Sequence, residues 1–202
     1  MIYLFTSLKK YYDSISYADG VSFTLSYALE NKFSESFIIN TLAFEYRQFL
    51  SVFRSNVFAL RFAVSDSWGE GRRLFYMGGA ESKDGFSIAG SNMFTLMRGF
   101  PRGYFSGYGG YLLNLEYRLS LFKVERVFTV IRSIHRVYLT LFSDIGNLWC
   151  YDKRINPTYS YGFEINVVAH IGDGKFTFSG GAAVGKHPRS GPVYYLRMGR
   201  SF

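Results

Sequence analysis

Three residues of the 202-residue chain have types and order that could do site chemistry: Arg98, Glu116 and Asp144. Glu116 and Asp144 share a parity within two alternating segments, so strand geometry puts both on one face of neighbouring strands. Such carboxylates can work as an acid and base pair, as in glycoside hydrolysis. They can also be structural anions, which repel unless a cation lies between them. Arg98 offers that cation, because a guanidinium bonds carboxylates bidentately. Gly99 lets its backbone approach a wall closely, and Phe100 would pack behind the tip. The lone arginine and the lack of a groove for substrate favour the ion pair.

Other chemistry is thin. His135, His170 and His187 stand apart from any nucleophile motif, and neither G-x-S-x-G nor H-E-x-x-H occurs. His170 reads as a hydrogen-bonded wall residue. Gly103, Gly107, Gly109 and Gly110 precede no helix, so they form no phosphate loop. Cys150 is the single cysteine, which excludes a disulfide framework and a Cys-rich zinc site. No catalytic residue, metal or cofactor is expected, and the chain is not expected to be an enzyme.

The elements that must hold these residues alternate with period two. In 111–122, Tyr111, Leu113, Leu115, Tyr117, Leu119 and Leu121 alternate with Asn114, Glu116, Arg118 and Ser120. The same pattern runs through 21–30, 56–66, 159–170 and 175–186, with Lys175, Thr177, Ser179 and Lys186 as the polar set of the last. It is weaker in 37–48, 136–148 and 193–202. About eight strands result, with 1–12 as a ninth or part of one. Each is long enough to cross a bilayer when tilted, which takes roughly 9–11 residues.

Composition then bears on which face points where. The chain carries 21 Phe and 17 Tyr, and 20% of it is aromatic. An eight-stranded soluble barrel is too narrow to hold those rings inside. A membrane barrel puts them outside, against lipid and at the rims, with charge toward the lumen. In that register Leu115→Arg should harm stability more than Asn114→Arg. No apolar run reaches the 18 residues of a transmembrane helix. The net charge is +8, but Arg47, Arg61, Arg118, Arg136 and Arg197 are dispersed among strands. Nucleic-acid binding, which needs a basic cluster, is therefore not expected. Lys9 and Lys10 follow the first apolar stretch, the reverse of signal-peptide order. If the chain leaves the cytosol, it is expected to be the C-terminal part of a longer product.

The connections are uneven. Gly172-Asp173-Gly174 reads as a tight hairpin turn, and 187–191 as a short polar one. Segment 69–106 is long, Gly-rich and aromatic, which marks it as functional. Segment 123–135 mixes charged and apolar residues and is expected to form one or two helical turns at a membrane interface.

Four motifs occur in a distinctive order: Phe75-Tyr76-Met77-Gly78-Gly79, Met97-Arg98-Gly99-Phe100, Glu116-Tyr117-Arg118, and Phe142-Ser143-Asp144-Ile145-Gly146. This order resembles the C-terminal barrel of the BamA/TamA outer-membrane assembly superfamily, the bacterial surface antigen family. The likeness runs over residues 55–202; before that only the strand pattern agrees. It implies an antiparallel transmembrane β-barrel domain across 1–202, or the C-terminal half of a sixteen-stranded one. The long loop would fold into the lumen, with Arg98, Gly99, Phe100, Glu116, Asp144 and Gly146 as its latch. The end of the chain, with Leu196, Met198, Gly199 and Phe202, resembles the C-terminal signal of such barrels, although Arg200 departs from it.

The resemblance implies insertion or transport of polypeptides at the outer membrane of a Gram-negative-type bacterium. The partners would be outer-membrane lipid and unfolded outer-membrane clients or a secreted polypeptide. Two alternatives stand beside it: a small structural or transport barrel without insertase activity, and the barrel anchor of a passenger such as a patatin-like lipase. A soluble all-β binding protein is a third.

Overall fold

Alternating, β-branched and aromatic sequence with Gly-rich connections favours strands that pair with their sequence neighbours, and the computed structural model is all-β and antiparallel. It describes residues 1–9, 18–32, 37–53, 56–80, 93–126, 133–150, 157–171, 174–186 and 191–199. The strands are β1 (Ile2–Thr6), β2 (Gly20–Lys32), β3 (Phe37–Val52), β4 (Asn56–Gly69), β5 (Phe75–Met77), β6 (Phe105–Gly107), β7 (Gly109–Arg126), β8 (Ser133–Trp149), β9 (Thr158–Ile171), β10 (Gly174–Gly185) and β11 (Val193–Gly199). Nine of them form one sheet in the order β1-β2-β3-β4-β7-β8-β9-β10-β11, with β1 and β11 at its edges. The small β5-β6 hairpin belongs to the connection between β4 and β7.

Every alternating segment of the sequence is a strand over its described residues, and residues 1–12, of which 1–9 are described, contribute the short β1. One expectation fails. Lys123–Arg126 continues β7 and Ser133–His135 opens β8, so neither is helical; 127–132 lie outside the described residues. The register slips between Ser120 and Phe122, between Lys123 and Arg126, and between Ile134 and Arg136. Each slip is a bulge that breaks the parity locally, so a bulged strand reads as aperiodic. The predicted turn residues 172–173 and 187–190 are likewise undescribed, although Ile171 and Gly174 pair directly across the first turn. Lys186 shares parity with Phe178 and Val184, not with the polar set, and is exposed beyond β10 beside the Tyr159 ring.

The burial pattern of the sheet is inverted relative to a soluble sandwich. On β4 the buried positions are Val57, Ala59, Arg61, Ala63, Ser65 and Ser67, while the larger Phe58, Leu60 and Phe62 between them are only half-buried. On β7 and β8 the buried set includes Asn114, Glu116, Arg118, Thr140 and Asp144. The opposite face exposes Phe23, Leu25, Leu141, Phe163 and Ile165.

What covers the polar face is the long connection. Phe75, Met77, Met93, Phe94, Met97 and Phe100 from it pack with Ala43, Ala63, Leu112 and Leu148 from the strands. Leu96 joins a second cluster with Phe49, Val57 and Ala59. The small wall residues Ala43, Ala59 and Ala63 leave room for the larger loop side chains. Each loop side chain so buried contributes about 1.5–3 kcal/mol, which holds the connection down on the sheet.

Candidate functional site

The site is built on β7 and β8. Their register pairs Asn114 with Asp144 and Glu116 with Phe142, so the two carboxylates lie on the same face of adjacent strands. The loop delivers Arg98 between them. Its Nε donates to Asp144 Oδ2 at 3.0 Å, its Nη2 to Asp144 Oδ1 at 2.8 Å and its Nη1 to Glu116 Oε1 at 2.6 Å. Its backbone N–H also donates to Asp144 Oδ2, at 3.0 Å. The guanidinium carbon lies 3.6 Å from the centre of the Phe142 ring. Arg98 and Asp144 are both 0% exposed. Burial alone would lower the proton affinity of Arg98, but the Asp144 and Glu116 carboxylates outweigh it and raise that affinity.

Gly99 and Gly146 make the close approach possible. Gly99 has a φ of 89°, and a Cβ there would sit 2.9 Å from both the Gly185 nitrogen and the Ser160 Cβ. At Gly146 a Cβ would meet Met77 Sδ at 2.7 Å. Phe100 is buried and packs edge-on to Phe105, with ring centres 5.0 Å apart. The structure therefore brings Arg98, Gly99, Phe100, Glu116, Asp144 and Gly146 into one cluster. Leu196, Met198 and Gly199 lie apart on β11, where Leu196 and Met198 are exposed. Phe202 lies outside the described residues.

Several partners were not anticipated. Arg118 donates to Glu116 Oε2 from Nε at 2.9 Å and from Nη2 at 2.7 Å. Asn114 donates to Asp144 Oδ1 at 2.8 Å and to the Leu96 carbonyl at 2.7 Å. Arg61 donates to Asn114 Oδ1 at 3.1 Å, to the Met93 carbonyl at 2.7 Å and to Glu45. The signal was present in their shared parity with Glu116 on consecutive strands. Asn114 is fully buried against Asp144 and the Leu96 carbonyl, so its position is not an open lumen-facing site and Asn114→Arg, contrary to the expectation from register, is costly too.

Two arginines, Arg98 and Arg118, face two carboxylates, Glu116 and Asp144, and the core of the cluster is electrically balanced. Each carboxylate is engaged by guanidinium, which suits an ion-paired lock rather than proton transfer. Among the described residues no group of three His, Cys, Asp or Glu side chains is gathered to hold a metal ion. No family model matches this chain, and no curated protein matches it.

Proposed function

We propose that this chain is a transmembrane β-barrel domain of the outer-membrane assembly and translocation type, inserting or transporting polypeptides and performing no covalent catalysis. The observation that carries the reading is the inverted sheet. Many of its large apolar residues lie on the outer, exposed or half-exposed face, and its ionised residues are buried beneath a folded-in loop. A bilayer is the environment in which an exposed face of that kind is favourable, and a lumen is where the charged face belongs. The BamA/TamA resemblance adds the functional class. Its loop tip, Glu-Tyr-Arg strand and Phe-x-Asp-x-Gly strand correspond to the residues that meet around Arg98.

In this reading the loop is locked to the wall by Arg98, and client strands pair with an open edge of the sheet. Backbone hydrogen bonds supply affinity, and alternate side chains supply selectivity. The test is reconstitution into lipid vesicles with an unfolded outer-membrane protein as client. Faster client insertion than in empty vesicles, seen as acquired protease resistance, is expected. Stable integration of this chain with no acceleration would favour a structural or transport barrel instead.

A further inference from the structure

The terminal strand β11 is poorly held by its backbone alone. It is seven residues long, pairs on one side with β10, and its Tyr194, Leu196 and Met198 side chains are 77%, 91% and 66% exposed. A terminal strand so short needs further contacts to tie it down. Those contacts come from its other face, and they skip a strand. Tyr195 Oη donates to Glu164 Oε2 at 3.1 Å, and Arg197 Nη2 donates to Glu164 Oε1 at 2.6 Å. Glu164 belongs to β9, and the strand between offers Gly181, which is in register with both Tyr195 and Glu164. A Cβ at Gly181 would stand 2.8 Å from Tyr195 Oη. The missing side chain is the passage through which Tyr195 reaches β9.

Arg197 makes one contact more. Its Nη1 donates to the carbonyl of Ala80, in the same connection that carries Arg98, at 3.4 Å. One guanidinium thus touches the anchor of the terminal strand and the backbone of the folded-in loop. Glu164 is 1% exposed, so removing its cation would leave a buried charge without its partner, a costly state. Glu164 also lies near enough to add to the field that keeps Arg98 charged.

We propose that Arg197 is a clasp that couples the loop to the terminal strand, so that β11 and the loop release together. This goes beyond the proposed function, because it holds whether or not the sheet spans a bilayer. Coupling of this kind is reciprocal: loosening either side must loosen the other.

The experiment is amide hydrogen exchange on the full chain, read at 93–100 and at 193–199, in whatever medium keeps it folded. Arg98→Gln removes bonds between the loop and the β7–β8 wall, and among the described residues Arg98 makes no hydrogen bond to β11. It should nevertheless speed exchange in β11 by about tenfold or more, as expected when two segments open as one unit. Arg197→Lys keeps a cation for Glu164 but loses the fork that also reaches Ala80. In the Arg197→Lys background, Arg98→Gln should therefore leave β11 exchange nearly unchanged. If Arg98→Gln does not fold, Arg98→Lys replaces it in the same comparison. Unchanged β11 exchange in the Arg98 variant alone would overturn the clasp. So would an effect that persists at full size in the Arg197→Lys background.

Discussion

Arg98 has no exposed surface, and a charge so placed is tolerated only while its partners stay in position. Removing one member of such a pair costs about 3–5 kcal/mol, because the others are left buried and unbalanced. Arg98→Glu, which also sets a third carboxylate against Glu116 and Asp144, should therefore impair folding by at least about that amount, measured by denaturant unfolding. Combining it with Asp144→Arg should restore part of the loss. Full recovery is not expected, since Asp144 also accepts the Arg98 backbone N–H and the Asn114 amide. A double variant no more stable than the single one would show that the charge pair does not hold the tip. Gly99→Ala places a Cβ against Gly185 and Ser160 at a φ of 89°. It should cost about 1–3 kcal/mol by overpacking, with left-handed strain added, read by the same unfolding assay. Strand parity made Glu116 and Asp144 legible as carboxylates on one face, whereas Arg98 was pointed to by the Arg-Gly-Phe order of the BamA/TamA resemblance. Arg61, Asn114 and Phe142 were not singled out. Their role depends on where the loop backbone passes, and no local pattern encodes the Met93 and Leu96 carbonyls they serve or the stacking on Arg98.

At the scale of elements, alternation recovered the eight longer strands of the main sheet, since a half-buried strand must repeat with period two, whereas β1 is exposed throughout and shows no alternation. Alternation lost the ends of β7 and β8, where bulges shift the parity and charged and apolar residues fall out of step. The same alternation makes a depth-dependent prediction. Leu141 lies mid-way along β8 on the exposed face, whereas Leu29 lies near the loop end of β2 on that face. If lipid surrounds the sheet, Leu141→Arg should cost about 2–4 kcal/mol and Leu29→Arg about 0–1 kcal/mol. Were water outside, both would fall within about 0.5 kcal/mol of the parent, as surface substitutions do. Unfolding free energies of the two variants in lipid vesicles separate the outcomes. Equal, small costs would remove the membrane reading while leaving the buried lock intact.

The whole molecule sets a harder test. Exposed apolar side chains are not scattered on it: Phe23 and Leu25 on β2, Leu42 and Leu50 on β3, Leu141 on β8 and Phe163 on β9 share one face of a continuous sheet. Soluble monomers rarely expose contiguous apolar patches beyond about 300–600 Å². A net charge of +8 favours dispersion in water but cannot cover that face, because the charged residues of the strands mostly point the other way. Among the described residues the edge strands β1 and β11 pair on one side only, and such edges further promote association in water. The chain should therefore float with lipid vesicles in a density gradient, resist extraction by high salt and alkali, and enter solution only with detergent. High salt would strip a protein held by its positive charge alone, because screening shortens the reach of that attraction to about 3 Å at 1 M. An apolar face in hydrocarbon is indifferent to such screening. Extraction by salt would thus reduce the chain to a peripheral, charge-bound protein. Elution as a monomer from detergent-free gel filtration would show that the exposed face is stable in water, and the barrel reading would fall with it.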